Sequence, residues 1–181
     1  MVSITGSVRA GMAVATSAAA DVKRVHLELG GKAPVVVFED ADIAAAAEWL
    51  AVAGYFNAGQ DCTAATRVLV ADAVHDEFVA ALAEQARTIP TTFEGGPSDP
   101  DALVPPMNNE RQMDQVLGFL ARTPGHAEIV AGGTRLGDRG FYVAPTVVAG
   151  LRQDDEMVQN EIFGPVMTVQ RFADEAQALE W

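Results

Sequence analysis

The chain has 181 residues, 49% hydrophobic and 20% charged, a balance that places it among globular proteins with enough apolar side chains for a core. Its formal net charge of -13 argues against a partner bound along its phosphate backbone, which needs clustered Lys and Arg, so nucleic acid is not expected. One cysteine, Cys62, excludes an internal disulfide, and His26, His75 and His126 stand too far apart for zinc-type spacing, so no metal is expected either. No apolar run approaches the ~18 residues of a membrane span. Residues 13–20 lack the basic flank and leading position of a secretory signal, and the expected location is cytoplasmic.

Along the chain, β and α signals alternate, as in an α/β fold. Residues 2–5 are a short run rich in β-branched side chains that stops at Gly6-Ser7, and residues 8–20 are small and helix-compatible. Residues 24–29 alternate strictly, so Val25, Leu27 and Leu29 share one face of a strand and Arg24, His26 and Glu28 the other. A buried strand at 34–38 and a helix at 43–53, capped by Asp40 or Asp42, come next. Residues 67–71 read as a strand and 74–87 as an amphipathic helix, whereas 90–106 is loop-like around Gly95-Gly96-Pro97. Helical spacing returns over 109–122. Strands follow at 128–131, 142–148 and 166–172, and a helix begins at Asp174.

Several residues carry chemistry beside a plainer structural reading. Gly6 and Gly11 have the outline of a phosphate loop, but Met12 and Ala13 stand where Lys and Ser or Thr are needed, so a nucleotide triphosphatase is disfavoured. A strand, Gly-Ser and a helix start still offer free N–H groups to an anion; the alternative is a simple turn. Glu28, at the C-terminal end of its strand, is either a base beside a ligand crevice or a solvated carboxylate. Cys62, after Gly59-Gln60-Asp61, is a nucleophile or an inert small hydrophobe. In Glu161-Ile162-Phe163-Gly164-Pro165, the acid and ring either face a ligand or form a loop-to-strand junction with Phe163 packed inside.

Five stretches are collinear across nearly the whole chain: Ile4-Thr5-Gly6-Ser7 with Gly11, Leu27-Glu28-Leu29-Gly30-Gly31-Lys32, Gly59-Gln60-Asp61-Cys62, Pro145-Thr146-Val147, and Glu161-Ile162-Phe163-Gly164-Pro165-Val166. In order and spacing they resemble the NAD(P)-dependent aldehyde dehydrogenase family. The wording of residues 30–34 and 55–65 is most similar to its aminobutyraldehyde and betaine-aldehyde branch. The resemblance implies an α/β aldehyde dehydrogenase fold in an internal fragment. Residues 1–33 would be the tail of the Rossmann-type coenzyme domain, and 34–181 most of the catalytic thiol domain, shortened at its C-terminal end.

The same resemblance implies roles. Cys62 is the expected nucleophile, passing through a thiohemiacetal and a thioester, and Glu28 the base that activates the hydrolytic water. Gly6, Ser7, Val8, Arg9, Ala10, Gly11 and Leu29 are expected to face the NAD or NADP cofactor, with Glu161 on the nicotinamide ribose and Phe163 beside the nicotinamide. The substrate is an aldehyde, and Asp61 is an anchor for the ammonium of an amino-aldehyde or else a capping aspartate. Homo-oligomerisation of the complete protein is part of the expectation. Much of the family's cofactor-binding sheet has no counterpart in the sequence, and Leu103-Val104-Pro105-Pro106-Met107 replaces a usual Gly-Pro-Leu turn. A remnant without dehydrogenase activity, serving as an interaction module or weak thiol esterase, is the alternative. A cysteine–histidine hydrolase lacks local support at His75 or His126.

Overall fold

The computed structural model describes residues 1–181, which divide into two compact units, Met1–Gly31 and Lys32–Trp181. The first is a single β-α-β motif. Strand β1 (Val2–Gly6) runs into helix α1 (Val8–Ala19), and strand β2 (Val25–Leu29) returns parallel to β1, pairing Ser3 with His26 and Thr5 with Glu28. Ser7 caps α1 by accepting the Ala10 N–H, which satisfies one of the orphan donors of the first turn. Helix α1 closes on β2 at Gly11, where a Cβ would meet the Leu29 side chain at 2.6 Å.

Between α1 and β2 the chain turns through bonds from Val22 N–H to Ala19 O and from Lys23 N–H to Ala18 O, a Schellman closure. Its left-handed position belongs to Val22, at φ 54°, where glycine is the usual occupant.

The second unit is built on a five-stranded sheet of order β3-β4-β7-β6-β5. Strand β3 (Pro34–Val37) lies at one edge, parallel to β4 (Arg67–Ala71), which is parallel to β7 (Val166–Phe172), itself parallel to β6 (Thr146–Ala149). Strand β5 (Glu128–Ala131) closes the other edge antiparallel to β6, with an irregularity between Ile129 and Ala131. Interior strand β4 is buried throughout, and its alternation separates two cores. Val68 and Val70 join the larger one with helices α2 (Ile43–Tyr55), α3 (His75–Thr88) and α5 (Glu110–Ala121), whereas Leu69 and Ala71 meet Phe172 and Ala178. Ala178 lies on the last helix, α7 (Glu175–Glu180); α4 (Thr92–Gly95) and α6 (Glu156–Gln159) are single turns.

Three sequence expectations differ from the fold. Strand β3 is expected buried, but as an edge strand it leaves Val36 40% exposed. The strand expected at 142–148 starts at Thr146, because Pro145 has no N–H for a ladder; upstream only Val143 bridges, to Arg135. The segment 90–106 is not a free loop. It holds α4 and is tied down by bonds from Leu103 and Val104 N–H to Pro90 O, with Val104 buried. Of the two candidate caps of α2, Asp42 accepts the Ala45 N–H.

Candidate active site

In the first unit the turn from β1 to α1 carries Gly6, Ser7, Val8, Arg9, Ala10 and Gly11, with Leu29 packed at Gly11. The Ala10 N–H is taken by the Ser7 side chain and the Gly11 N–H by Ser7 O. Val8 and Arg9, in the exposed first turn, have no acceptor four residues back, so their N–H groups face outward at the positive end of a three-turn helix. Glu28 stands on β2 beside Thr5 of β1, exposed, with Oε1 2.7 Å from His26 Nε2. His26 and Glu28 therefore share one face, as the alternation predicts.

In the second unit Cys62 is exposed on a loop built with unusual backbone. Helix α2 ends at Tyr55, whose fully buried hydroxyl donates to Thr146 O at 3.0 Å, and burial pushes its phenol well above the ordinary range. Asn57, Ala58 and Gly59 then follow at φ 53°, 56° and 65°, three consecutive left-handed residues. Such conformations cost an L-residue about 1 kcal/mol or more each and persist only where surroundings impose them. The constraint is visible at Gly59, where a Cβ would lie 2.2 Å from Gly164 O. Asn57 and Gln60 also bond each other's carbonyl oxygens through their side-chain amides, at 3.0 and 3.2 Å.

Gly59 thus joins the cysteine loop to the motif 161–166, about a hundred residues away in sequence. Phe163 is itself left-handed, at φ 55°, and 37% exposed, while Ile162 next to it is buried. The packed-inside reading of Phe163 is therefore wrong: Ile162 fills the core and the left-handed turn directs the ring outward. Gln112 on α5 fixes this turn by donating to Ile162 O at 3.1 Å and Phe163 O at 2.9 Å. Gln60 Oε1 accepts the Asn108 N–H at 2.9 Å. Asn57, Gln60, Pro105, Pro106, Met107, Asn108 and Phe163 line a cleft of about 500 Å³.

Asp61 behaves as a turn cap. Its Oδ1 accepts the Thr63 N–H at 2.8 Å and the Thr63 hydroxyl at 2.9 Å, and these bonds, with a weaker one from the Cys62 thiol, hold the carboxyl below its usual range. A fixed negative charge consequently stands next to Cys62. His75 is engaged with Asp76 and Arg171, and His126 with Asp155. No group of three or more His, Cys, Asp or Glu side chains gathers to hold a metal ion, and no helix is long and apolar enough to cross a membrane.

Sequence reasoning missed the residues that brace the site. Gln60, Gln112 and Gly164 act through backbone contacts that no pattern of residue types announces. Lys32 is a second omission. Its Nζ is closed off from solvent without a hydrogen-bond partner, and its pKa is lowered to about 7 by burial and by the Arg67 charge, against an opposing pull from Glu161. A lysine after Gly-Gly reads as a surface residue; only its place in a recognised motif hinted otherwise.

The Aldehyde dehydrogenase family matches residues 1–181, the whole chain. An aldehyde dehydrogenase of Emericella nidulans is 38% identical over 181 residues, 99% of this chain and 36% of the relative. The crystal structure of an NAD-dependent aldehyde dehydrogenase from Sinorhizobium meliloti superposes with a TM-score of 0.94 at 40% identity, over 99% of this chain and 36% of that one. An aldehyde dehydrogenase of Mycobacterium tuberculosis complexed with NAD+ gives 0.93 at 38% identity, over 98% and 37%. The chain spans little more than a third of these relatives, and over that span it has their α/β fold. On the match along its full length, this chain belongs to the aldehyde dehydrogenase family.

Proposed function

We propose that this chain carries the thiol chemistry of an NAD(P)-dependent aldehyde dehydrogenase that oxidises an aldehyde to the carboxylic acid. The observation that carries the reading is exposed Cys62, three residues after the left-handed segment keyed onto Gly164. Strained backbone of this kind concentrates where a side chain must be presented to a ligand. The sulfur adds to the carbonyl carbon to give a thiohemiacetal, which becomes a thioester on loss of a hydride from carbon and the proton from its hydroxyl, the proton passing to solvent. NAD(P), when bound, supplies the acceptor for that hydride. Glu28 takes a proton from water as the water adds to the thioester carbon; the C–S bond then breaks and the acid leaves.

The residues present fit part of the cofactor. The outward N–H groups of Val8 and Arg9, with Gly6, Ser7, Ala10, Gly11 and Leu29 around them, suit a pyrophosphate at the start of α1. Glu161 and Phe163 are assigned to the nicotinamide end. Residues 1–33 are assigned to the coenzyme domain and 34–181 to the catalytic domain. A cytoplasmic homo-oligomer belongs to the same reading and rests on family resemblance.

An amino-aldehyde is the proposed substrate class. The wording of residues 55–65 supports it, as does the ionised Asp61 beside Cys62, which favours a cation nearby. In the protein as its cells make it, aldehyde and NAD+ are expected to give NADH in wild type and none in Cys62→Ala. Absence of NADH in wild type with Cys62-dependent ester hydrolysis would instead establish a thiol esterase, and absence of both would remove the catalytic reading. Asp61→Asn is expected to raise KM for amino-aldehydes several-fold more than for neutral aldehydes; equal effects would end the amino-aldehyde assignment.

A further inference from the structure

The carboxylate assigned as the base has one side-chain partner, and it comes from its own strand. His26 and Glu28 are two residues apart on β2, and Nε2 lies 2.7 Å from Oε1. An ionised carboxylate has no proton to give, so the bond runs from the imidazole Nε2–H to Oε1. It leaves Oε2 without that bond. We propose that His26 is a positioning residue that fixes one oxygen of Glu28 and thereby directs the other to the hydrolytic water. The inference rests on the reading of Glu28 as the base.

The surroundings single out this contact. On the same face, β1 contributes Ser3 beside His26 and Thr5 beside Glu28, neither of them titratable near neutral pH. Arg24, immediately before the strand, is the other charged residue in the alternation. Helix α1, whose one charged residue is Arg9, packs through Gly11 on Leu29, which points to the opposite face. Nothing else in this unit restrains the carboxylate.

Magnitudes separate positioning from structural support. The pair is 57% and 65% exposed, and exposed pairs of this kind add little to stability, so its loss leaves the fold intact. Orientation is different. A freed glutamate side chain populates several rotamers, and only some aim an oxygen at the reacting water.

The test is acyl-enzyme formation and hydrolysis, followed separately with a nitrophenyl ester in the protein as its cells make it. His26→Leu is expected to slow hydrolysis of the acyl-enzyme about three- to ten-fold with the acylation burst and thermal midpoint unchanged. His26→Gln, which keeps an amide donor, is expected to restore hydrolysis to within about two-fold of wild type. Glu28→Gln should slow the same step on the order of a hundred-fold. If Glu28→Gln is slow and His26→Leu is normal, the positioning role is overturned and the base survives. Equal slowing in His26→Leu and His26→Gln also overturns it. If Glu28→Gln has no effect, or wild type hydrolyses no acyl-enzyme, the reading of Glu28 falls and the inference with it.

Discussion

The two units hold the side chains proposed for the chemistry by opposite means. Glu28 projects from a regular parallel strand whose backbone is unstrained, and its one side-chain partner is the exposed His26. Cys62 follows three left-handed residues, and the loop is held by close backbone approach at Gly59 and by the amides of Gln60 and Gln112. The strand's backbone tolerates a change at His26, because that contact is between side chains alone. The loop does not tolerate one at Gly59, because its shape depends on an absent Cβ.

The sharpest way to break that contrast is Gly59→Ala. Its methyl group would sit 2.2 Å from Gly164 O at a φ of 65°, and the atoms it meets are all backbone, which cannot yield cheaply. A loss of about 3 kcal/mol or more is expected in chemical denaturation, together with a changed rate of iodoacetamide labelling at Cys62. A wild-type midpoint and labelling rate would show that the loop is not braced there. Gly164→Ala meets the Val116 side chain at 2.4 Å, and because Val116 is fully buried and β-branched it yields little, so a loss of about 2–3 kcal/mol is expected.

Lys32 gives a pH-dependent counterpart. Its pKa is lowered to about 7, while the unfolded chain keeps an ordinary lysine value, so the unfolded state binds more protons between those limits. The cost of burying the ammonium is fully present below pH 7 and is relieved as pH rises toward the ordinary value. Stability contributed through this residue therefore increases over that interval. Lys32→Met is expected to remove the increase and to raise stability at pH 6 by about 2–3 kcal/mol, read from denaturation midpoints across pH. Parallel pH profiles for the two proteins would contradict a buried amine.

Much of the architecture was legible before the fold because its signals are local. The runs that became β1, β4 and β7 and the alternation of β2 survive into the structure, and Asp42, one of the two caps named for α2, bonds its helix start; Ser7, Asn109 and Asp174 cap the helices that begin beside them. What escaped was set by context. Edge position exposes β3, although Pro34-Val35-Val36-Val37 reads as a buried run. Ala58 carries no sign of the left-handed backbone that Gly164 imposes through Gly59. Among the proposed site residues, Cys62, Glu28, Glu161 and Phe163 were named from motifs, whereas the backbone contacts that shape the cysteine loop, from Gly59 to Gly164 and from Gln112 to Ile162 and Phe163, join distant stretches and carry no local signal.

The smallest expected effect lies in the turn between α1 and β2. Val22 occupies a left-handed position, 92% exposed, so Val22→Gly relieves strain without removing a core contact. A gain of about 1 kcal/mol in denaturation is expected, and a loss would place the cost in the unfolded chain.

The most direct test is mass spectrometry of the intact protein after brief exposure to a nitrophenyl ester. An acyl adduct confined to Cys62 is expected, turning over in wild type, persisting in Glu28→Gln and absent from Cys62→Ala. Wild-type protein that never acquires the adduct, or an adduct that clears equally fast in Glu28→Gln, would contradict the assignment of nucleophile and base.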